Sequence, residues 1–211
     1  RVAVSDLKTI RIEDLLRREI RKPNKELLKK DVENKNILIT GAGGSIGSEL
    51  GRQIIRTKPT LLILFDISEL ALYSIERELL EINQEVKVIP ILGNVINNPR
   101  LVKLIQKFQI QTIYHAAAYK HVPLVEKNTV AGVRTNIFGT LSCIEAAIDG
   151  NVKSFVFIST DKAVRPTNTM GATKRVAELI LQAAAQRQSE SETDNETKIS
   201  IVRFGNVLDS S

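Results

Sequence analysis

At 211 residues, with 43% hydrophobic and 26% charged side chains, the chain has the size and composition of one large globular domain, which excludes wholesale disorder and a fibrous repeat. One cysteine, Cys143, excludes an internal disulfide, and no Cys/His cluster has the spacing of a zinc site, so the sequence expects a reducing, cytoplasmic setting and no metal. The net charge of +6 suits a polyanion, but residues 1–30 hold 10 Lys+Arg against 5 Asp+Glu while the rest hold 20 against 19; a near-neutral body with 4% aromatic residues and no Trp gives bases little to stack on, and nucleic acid is not an expected partner.

In chain order, the basic segment comes first. Ile12, Leu15, Leu16 and Ile20 recur at helical spacing before Pro23-Asn24 breaks the pattern. We read residues 1–33 as a basic linker arm, either solvated or facing an anionic membrane surface, and residues 34–211 as the folded domain. The chain opens at Arg1 without an initiator Met and stops at Asp209-Ser210-Ser211 directly after an apolar run, so both ends read as cut from a longer parent. From Asn36 onward, short runs rich in β-branched residues at 37–40, 61–65, 86–91, 112–115, 154–159 and 199–204 predict buried strands. The longest strong apolar run, from Leu61 to Phe65, falls far short of the roughly 18 residues of a membrane span. Amphipathic stretches beginning near Ser45, Ser68, Pro99, Thr129 and Thr169 predict the helices between the strands, and Cys143 sits in one of them as a core residue. Strand and helix alternating in this way predict an α/β fold: a doubly wound parallel Rossmann sheet with helices on both faces and strand order 3-2-1-4-5-6. Residues 186–198 contain Ser189-Glu-Ser-Glu-Thr-Asp-Asn-Glu196, too polar to pack, and are expected to form a surface loop before the last strand.

The first predicted strand runs into Thr40-Gly-Ala-Gly-Gly-Ser-Ile-Gly-Ser-Glu-Leu50, with glycines at 41, 43, 44 and 47. Such a turn lets the backbone approach a pyrophosphate and aims free N–H groups and the positive end of a helix at the anion. Asp66, 19 residues after Gly47 at the end of the second predicted strand, completes the dinucleotide fingerprint. A carboxylate there accepts hydrogen bonds from both ribose hydroxyls and repels a 2′-phosphate, and Ile67-Ser68-Glu69 supplies no compensating cation, so NAD is expected over NADP. Asp66 is equally placed to cap the helix beginning near Ser68.

Three further stretches carry a resemblance: His115-Ala-Ala-Ala-Tyr-Lys-His-Val-Pro-Leu-Val-Glu126, Ile158-Ser-Thr-Asp-Lys-Ala-Val-Arg-Pro-Thr-Asn-Thr-Met-Gly-Ala-Thr-Lys174 and Val202-Arg-Phe-Gly-Asn-Val-Leu208. With the glycine turn, they resemble the extended short-chain dehydrogenase/reductases, and within them the large membrane-anchored UDP-N-acetylglucosamine 4,6-dehydratases of polysaccharide biosynthesis. The resemblance runs from about Asp6 to the last residue and implies a parent anchored at the cytoplasmic face of a membrane, a UDP-sugar substrate, a homo-oligomer as one possibility, and a substrate-binding C-terminal part missing from this chain. It implies an internal redox cycle: hydride leaves C4 of the sugar for NAD, the C5 proton is acidified, water leaves from C6, and hydride returns there.

By that resemblance, Asp161 is the acid at the C6 hydroxyl, Lys162 the group at the C5 proton, and Thr160 a partner for the C4 hydroxyl; a lysine must be neutral to act as a base. Met170 stands where most short-chain dehydrogenases have the tyrosine of Tyr-x-x-x-Lys, as it does in the large dehydratases. A thioether cannot take the substrate's hydroxyl proton, so that task passes to Asp161, Lys174 or water. The implied cofactor contacts are Gly41, Gly43, Gly44, Ser45, Ile46, Gly47, Asp66, Ile67, Ser68, Asn94, Val95, Ala116, Ala117, Ala118 and Lys174, the last at the nicotinamide ribose. Asn94 stands where the family usually has Asp. Lys120, His121, Arg203 and Asn206 are the implied substrate contacts, Tyr119 lies beside them, and Asn136 reads as either a structural or a site residue. The alternatives are a nucleotide-sugar 4-epimerase, which Met170 disfavours, and a non-catalytic NAD-binding fragment; the chain alone is expected to bind NAD with little or no turnover.

Overall fold

The computed structural model describes residues 25–190 and 196–205. The helix expected around residues 12–20, and Asn206 and Asp209, lie outside the described residues. In order, the elements are α1 (Lys25–Val32), β1 (Asn36–Thr40), α2 (Ser45–Ile55), β2 (Leu61–Asp66), α3 (Glu69–Ile82), β3 (Lys87–Leu92), α4 (Asn98–Phe108), β4 (Thr112–His115), α5 (Val122–Lys127), α6 (Thr129–Val133), a π-helical turn (Arg134–Phe138), α7 (Gly139–Asp149), β5 (Ser154–Thr160), a single 3-10 turn (Asp161–Ala163), α8 (Thr169–Glu190) and β6 (Lys198–Phe204).

The six strands form one sheet in the order β3-β2-β1-β4-β5-β6, all neighbours parallel, as the alternating pattern predicted. Period-2 side-chain alternation divides the core between the sheet's two faces. Ile37, Ile39, Leu62 and Leu64 point to the side covered by α2 and α3, where they meet Ile54, Ile55, Leu72, Ile75 and Leu79. Leu38, Ile63, Phe65, Ile113, Phe155 and Phe157 point to the other, against Leu101, Leu104, Ile105, Ile144 and Leu181 of α4, α7 and α8. Each of the fully buried Phe side chains contributes about 2–3 kcal/mol by removal from water.

Three local features differ from the sequence reading. Residues 186–190 are helical: α8 continues to Glu190, and the Gln188 side chain accepts from the Thr197 backbone N–H at 2.9 Å, so the helix end is tied to the start of β6 and the expected loop is shorter. The division drawn after residue 33 is crossed by Val32, which is buried among Ile37, Ile55 and Leu62, while the Thr112 hydroxyl donates to the Asp31 carbonyl at 3.0 Å. The helix expected near Thr129 is preceded by the short α5, whose Pro123 lies in its first turn, and is interrupted by the π turn. Cys143 is buried in the core, and burial pushes its thiol up out of reach of neutral pH. Among the described residues no helix is long and apolar enough to cross a membrane.

Candidate active site

Strand order reverses between β1 and β4, and a crevice opens beyond their carboxyl ends, where Thr40 pairs with His115. The floor of that crevice is a buried polar lock. His115 Nδ1 lies 2.6 Å from Thr40 Oγ1 and its Nε2 3.1 Å from Thr140 Oγ1. The Thr140 hydroxyl donates to the Asn136 carbonyl at 2.7 Å, so it accepts from Nε2–H, and Nδ1 accepts from the Thr40 hydroxyl. Burial first, and the Lys174 charge second, push the imidazole down to about 3, so it is neutral at any physiological pH. It also packs on the Phe155 and Phe157 rings, joining β1, β4, β5 and α7 into one block.

Above this lock sits the glycine turn. Gly41 adopts φ +68, which glycine alone adopts without strain, and a Cβ there would fall 2.5 Å from the Ala117 backbone nitrogen. A Cβ on Gly47 would fall 2.0 Å from the Gly41 carbonyl, so this glycine is what seats α2 on the turn. Gly44 differs: its nearest protein atom would be the Gly41 carbonyl at 3.3 Å, and the residue lines the open cleft. The first turn of α2 carries neither an acidic residue nor a side-chain cap bond. That leaves the positive end of the helix open to an anion.

Asp66, at the end of β2, accepts from the Gly43 N–H at 2.8 Å and from the Ser68 N–H at 2.9 Å. The carboxylate thus holds the glycine turn in place, and Ser68, not Asp66, caps α3 by accepting from the Ala71 N–H. Two acceptor positions remain on its oxygens. Gly41, Gly43, Gly44, Asp66, Ile67, Ser68, Asn94, Val95 and Ala116–118 line one cleft of about 290 Å³, as do Phe65, Ala71 and Thr135, which the sequence reading did not single out. Asn94 folds back on its own turn, accepting from the Ile96 N–H at 3.0 Å.

A second cleft, of about 570 Å³, shares Gly44, Ala116, Ala118 and Tyr119 with the first and continues past Ser45, Ile46, Lys120 and His121 to Thr160, Lys162, Met170 and Lys174. The two form one trough from Asp66 to Lys174. Its polar groups suit a dinucleotide: a carboxylate at the β2 end, an open helix N-terminus at the middle, and a lysine at the far end. Asn136, buried in the π turn, aligns the walls. Its Oδ1 accepts from the Tyr119 N–H at 2.8 Å, and its Nδ2 donates to the Tyr119 carbonyl and to Thr173 Oγ1. Lys120 reaches across the mouth to Ser45 Oγ at 3.3 Å.

At the far end Thr160, Lys162, Met170 and Lys174 line the trough, while Asp161, their neighbour in the chain, is not among the lining residues. β5 runs into the 3-10 turn, where the Thr160 hydroxyl donates to Asp161 Oδ1 at 3.1 Å and Lys162 Nζ donates to the same oxygen at 3.3 Å. The Asp161 side chain is 57% exposed, and these donors, Thr160 first, hold its carboxyl below the usual range. It is therefore a carboxylate at neutral pH. Lys174 is buried; its Nζ donates to the Ile158 carbonyl at 2.7 Å and lies 4.3 Å from the Phe157 ring centroid. Burial pulls its ammonium down to about 7, within reach of both protonation states. Met170 is buried on the same helix face and lines the trough.

Arg203 lies elsewhere: its guanidinium makes a two-pronged pair with Glu178, through Nε to Oε1 at 2.8 Å and Nη2 to Oε2 at 2.7 Å, and it does not line the trough. Sequence reasoning gave Glu178 no role. Its spacing of four from Lys174, on one helix face, was the only signal. Its carboxyl is held at about 2, chiefly by Arg203 and then by Ser159 and Arg175. Because the folded carboxyl titrates below an unfolded one, its stabilisation is complete above about pH 4.5 and lost as pH falls toward 2. On the order of 3 kcal/mol rides on this group. Acid unfolding followed by circular dichroism should be measurably less steep in Glu178→Gln than in the parent chain; parallel curves would contradict the assignment.

The arrangement defines a class: a doubly wound dinucleotide fold carrying a Thr-Asp-Lys turn and a helix-borne lysine at one end of its trough. Within that class the chain belongs to the polysaccharide biosynthesis protein family, whose profile matches residues 37–211. It is 44% identical over 208 residues to the capsular polysaccharide biosynthesis protein CapD of Staphylococcus aureus, covering 98% of this chain and 34% of that protein. It is 33% identical over 177 residues to an inverting UDP-N-acetylglucosamine 4,6-dehydratase of Campylobacter jejuni, covering 83% of this chain and 50% of the enzyme. The solved structure of Pen from Bacillus thuringiensis superposes with a TM-score of 0.77 at 36% identity, over 85% of this chain and 54% of that one. Nucleotide-sugar epimerases and a 4,6-dehydratase solved with NAD share the fold at 19% to 22% identity. The chain thus spans about a third to a half of the curated relatives it matches.

Proposed function

We propose that the chain is the cofactor-binding and catalytic part of an NAD-dependent nucleotide-sugar 4,6-dehydratase that converts UDP-N-acetylglucosamine to a UDP-4-keto-6-deoxy sugar in glycan biosynthesis. The observation that carries the reading is the single trough that joins the glycine turn and Asp66 to Thr160, Lys162, Met170 and Lys174. The relationship to the Campylobacter dehydratase supports it. Asp66 in place of a cation favours NAD over its 2′-phosphorylated form. When bound, NAD supplies a reversible hydride acceptor.

The chain's own groups handle the protons. Asp161, ionised as it stands, takes the proton of the C4 hydroxyl, a task the Met170 thioether cannot perform. The same proton then goes to the C6 hydroxyl as it departs, so the carboxyl begins and ends the cycle ionised and one water is lost. Lys162, beside Asp161, is assigned to take the C5 proton and to give a proton back to C5 when the hydride returns to C6, and Thr160 is assigned to the C4 oxygen. Lys174 would hold the ribose of bound NAD, and its desolvated ammonium switches near neutral pH. Lys120 and His121 line the same end of the trough and are assigned to the sugar diphosphate.

Incubating the longer parent protein with UDP-N-acetylglucosamine and NAD should give a product lighter by one water in a mass spectrum. A product of unchanged mass with inverted C4 would establish an epimerase instead, and no product from a folded, NAD-loaded protein would leave only a binding role. The chain of 211 residues by itself should bind NAD without measurable dehydration.

A further inference from the structure

Glu178 is a carboxylate with no exposed side-chain surface, unusual for a charged residue. All four of its acceptor positions are used. Oε1 accepts from the Ser159 hydroxyl at 2.7 Å and from Arg203 Nε at 2.8 Å; Oε2 accepts from Arg203 Nη2 at 2.7 Å and Arg175 Nη1 at 3.0 Å. Three elements are tied by one group. Ser159 is the residue before the Thr160-Asp161-Lys162 turn, Arg203 is the next-to-last residue of β6, and Glu178 itself stands one helical turn beyond Lys174 on α8. The chain leaving β6 passes close by: a Cβ on Gly205 would lie 3.8 Å from Asp161 Oδ2.

We propose that Glu178 is a positioning residue that fixes the ends of β5 and β6 around the Thr160-Asp161-Lys162 turn through Ser159 and Arg203, and sets the electrostatic surroundings of Lys174 from the next turn of the same helix. Breaking the pair from its two sides has opposite consequences. With the carboxylate neutralised, Arg175 and Arg203 face Lys174 without a counter-charge, and the lysine loses its proton more easily. With Arg203 neutralised, the carboxylate is less compensated, and the lysine holds its proton more tightly. A purely mechanical tie predicts no such reversal of sign. The remaining groups facing Lys174 do not change between these variants: the neutral His115 from β4, the Ile158 carbonyl and Phe157 ring from β5, and Lys120, His121 and Lys162 around the trough.

The consequence for turnover rests on the dehydratase reading; the coupling itself does not, and it is read without any substrate. The test is a pH titration of the chain carrying 13C at lysine Cε, with the Lys174 resonance assigned by its loss in Lys174→Met. Glu178→Gln should lower the Lys174 midpoint, and Arg203→Met should raise it, each by on the order of half a unit to one unit. Arg175→Met, whose side chain is 38% exposed, should raise it as Arg203→Met does, so that if Glu178→Gln does not fold, a fall or no change in the two arginine variants overturns the proposal. Shifts of one sign in all three variants, or none in any, would overturn the proposal. If the titration behaves as expected while the parent protein makes no dehydrated product, the positioning role of Glu178 stands and the dehydratase reading falls.

Discussion

Gly47→Ala is expected to destabilise the folded chain by about 3 kcal/mol and to abolish dinucleotide binding, whereas Gly44→Ala should weaken binding and leave the fold nearly intact. The two glycines sit three residues apart in one turn, and the difference comes from what their missing side chains face. A methyl group on residue 47 meets only backbone: the Gly41 carbonyl oxygen at 2.0 Å, the Gly41 carbon at 2.8 Å and the Ala42 Cα at 3.0 Å. None of these atoms can rotate aside, so either α2 lifts from β1 or the turn deforms, and Gly41, already at φ +68, has little freedom left. For a chain of this size the melting temperature should fall by roughly 10 °C. On residue 44 the same methyl group meets a single carbonyl oxygen at 3.3 Å and otherwise projects into the trough, where a diphosphate would lie against the helix end. Its melting temperature should stay within about 2–3 °C of the parent while NAD affinity falls at least about tenfold. Thermal unfolding with and without NAD separates the cases. Equal loss of stability in both variants would mean that both glycines serve packing alone.

Lys174→Met should lower turnover of the parent protein by about a thousandfold or more while the protein stays folded. Methionine keeps an unbranched stem beside Phe157 and loses one hydrogen bond to the Ile158 carbonyl, a cost of about 1 kcal/mol. It also removes an ammonium from a buried place, which offsets part of that loss. What cannot be replaced is a titrating cation at the end of the trough. Because that cation has been pulled down to about 7, the parent's rate should also depend on pH across the neutral range, and Lys174→Met should abolish that dependence. Asp161→Asn should be as severe, since an amide neither takes nor returns a proton. Full activity in either variant would remove these residues from the mechanism.

The strand order was legible because it follows from local patterns: period-2 apolar runs of β-branched residues, each followed by a helix long enough to cross over, allow essentially one right-handed parallel arrangement. The glycine turn was legible for the same kind of reason, since a strand, a cluster of residues without Cβ and a helix are neighbours in sequence. Residues whose partners lie far along the chain were not. His115 bonds Thr40 across 75 positions, Asn136 bonds Thr173 across 37, and Arg203 bonds Glu178 across 25. Arg203 shows the consequence: its motif suggested a sugar contact, and its position opposite a buried carboxylate directs it into an ion pair. The end of α8 misled in the opposite way, because residues 186–190 are polar enough to read as loop yet continue a helix that is held from outside by Thr197.

By itself, then, the sequence determined the layering of the sheet, the glycine turn, the carboxylate at the end of β2 and the Thr-Asp-Lys run, all of which depend on spacing along the chain. Only the tertiary structure decided which charges are free to meet a ligand and which are consumed inside the fold. Glu178 and Asp161 are both carboxylates near the same strand end, but one is closed off by two arginines and a serine while the other stands 57% exposed between Thr160 and Lys162, which line the trough. Ionisation state and availability depend on desolvation and on counter-charges brought in from other strands, and those distances exist only once the chain has folded.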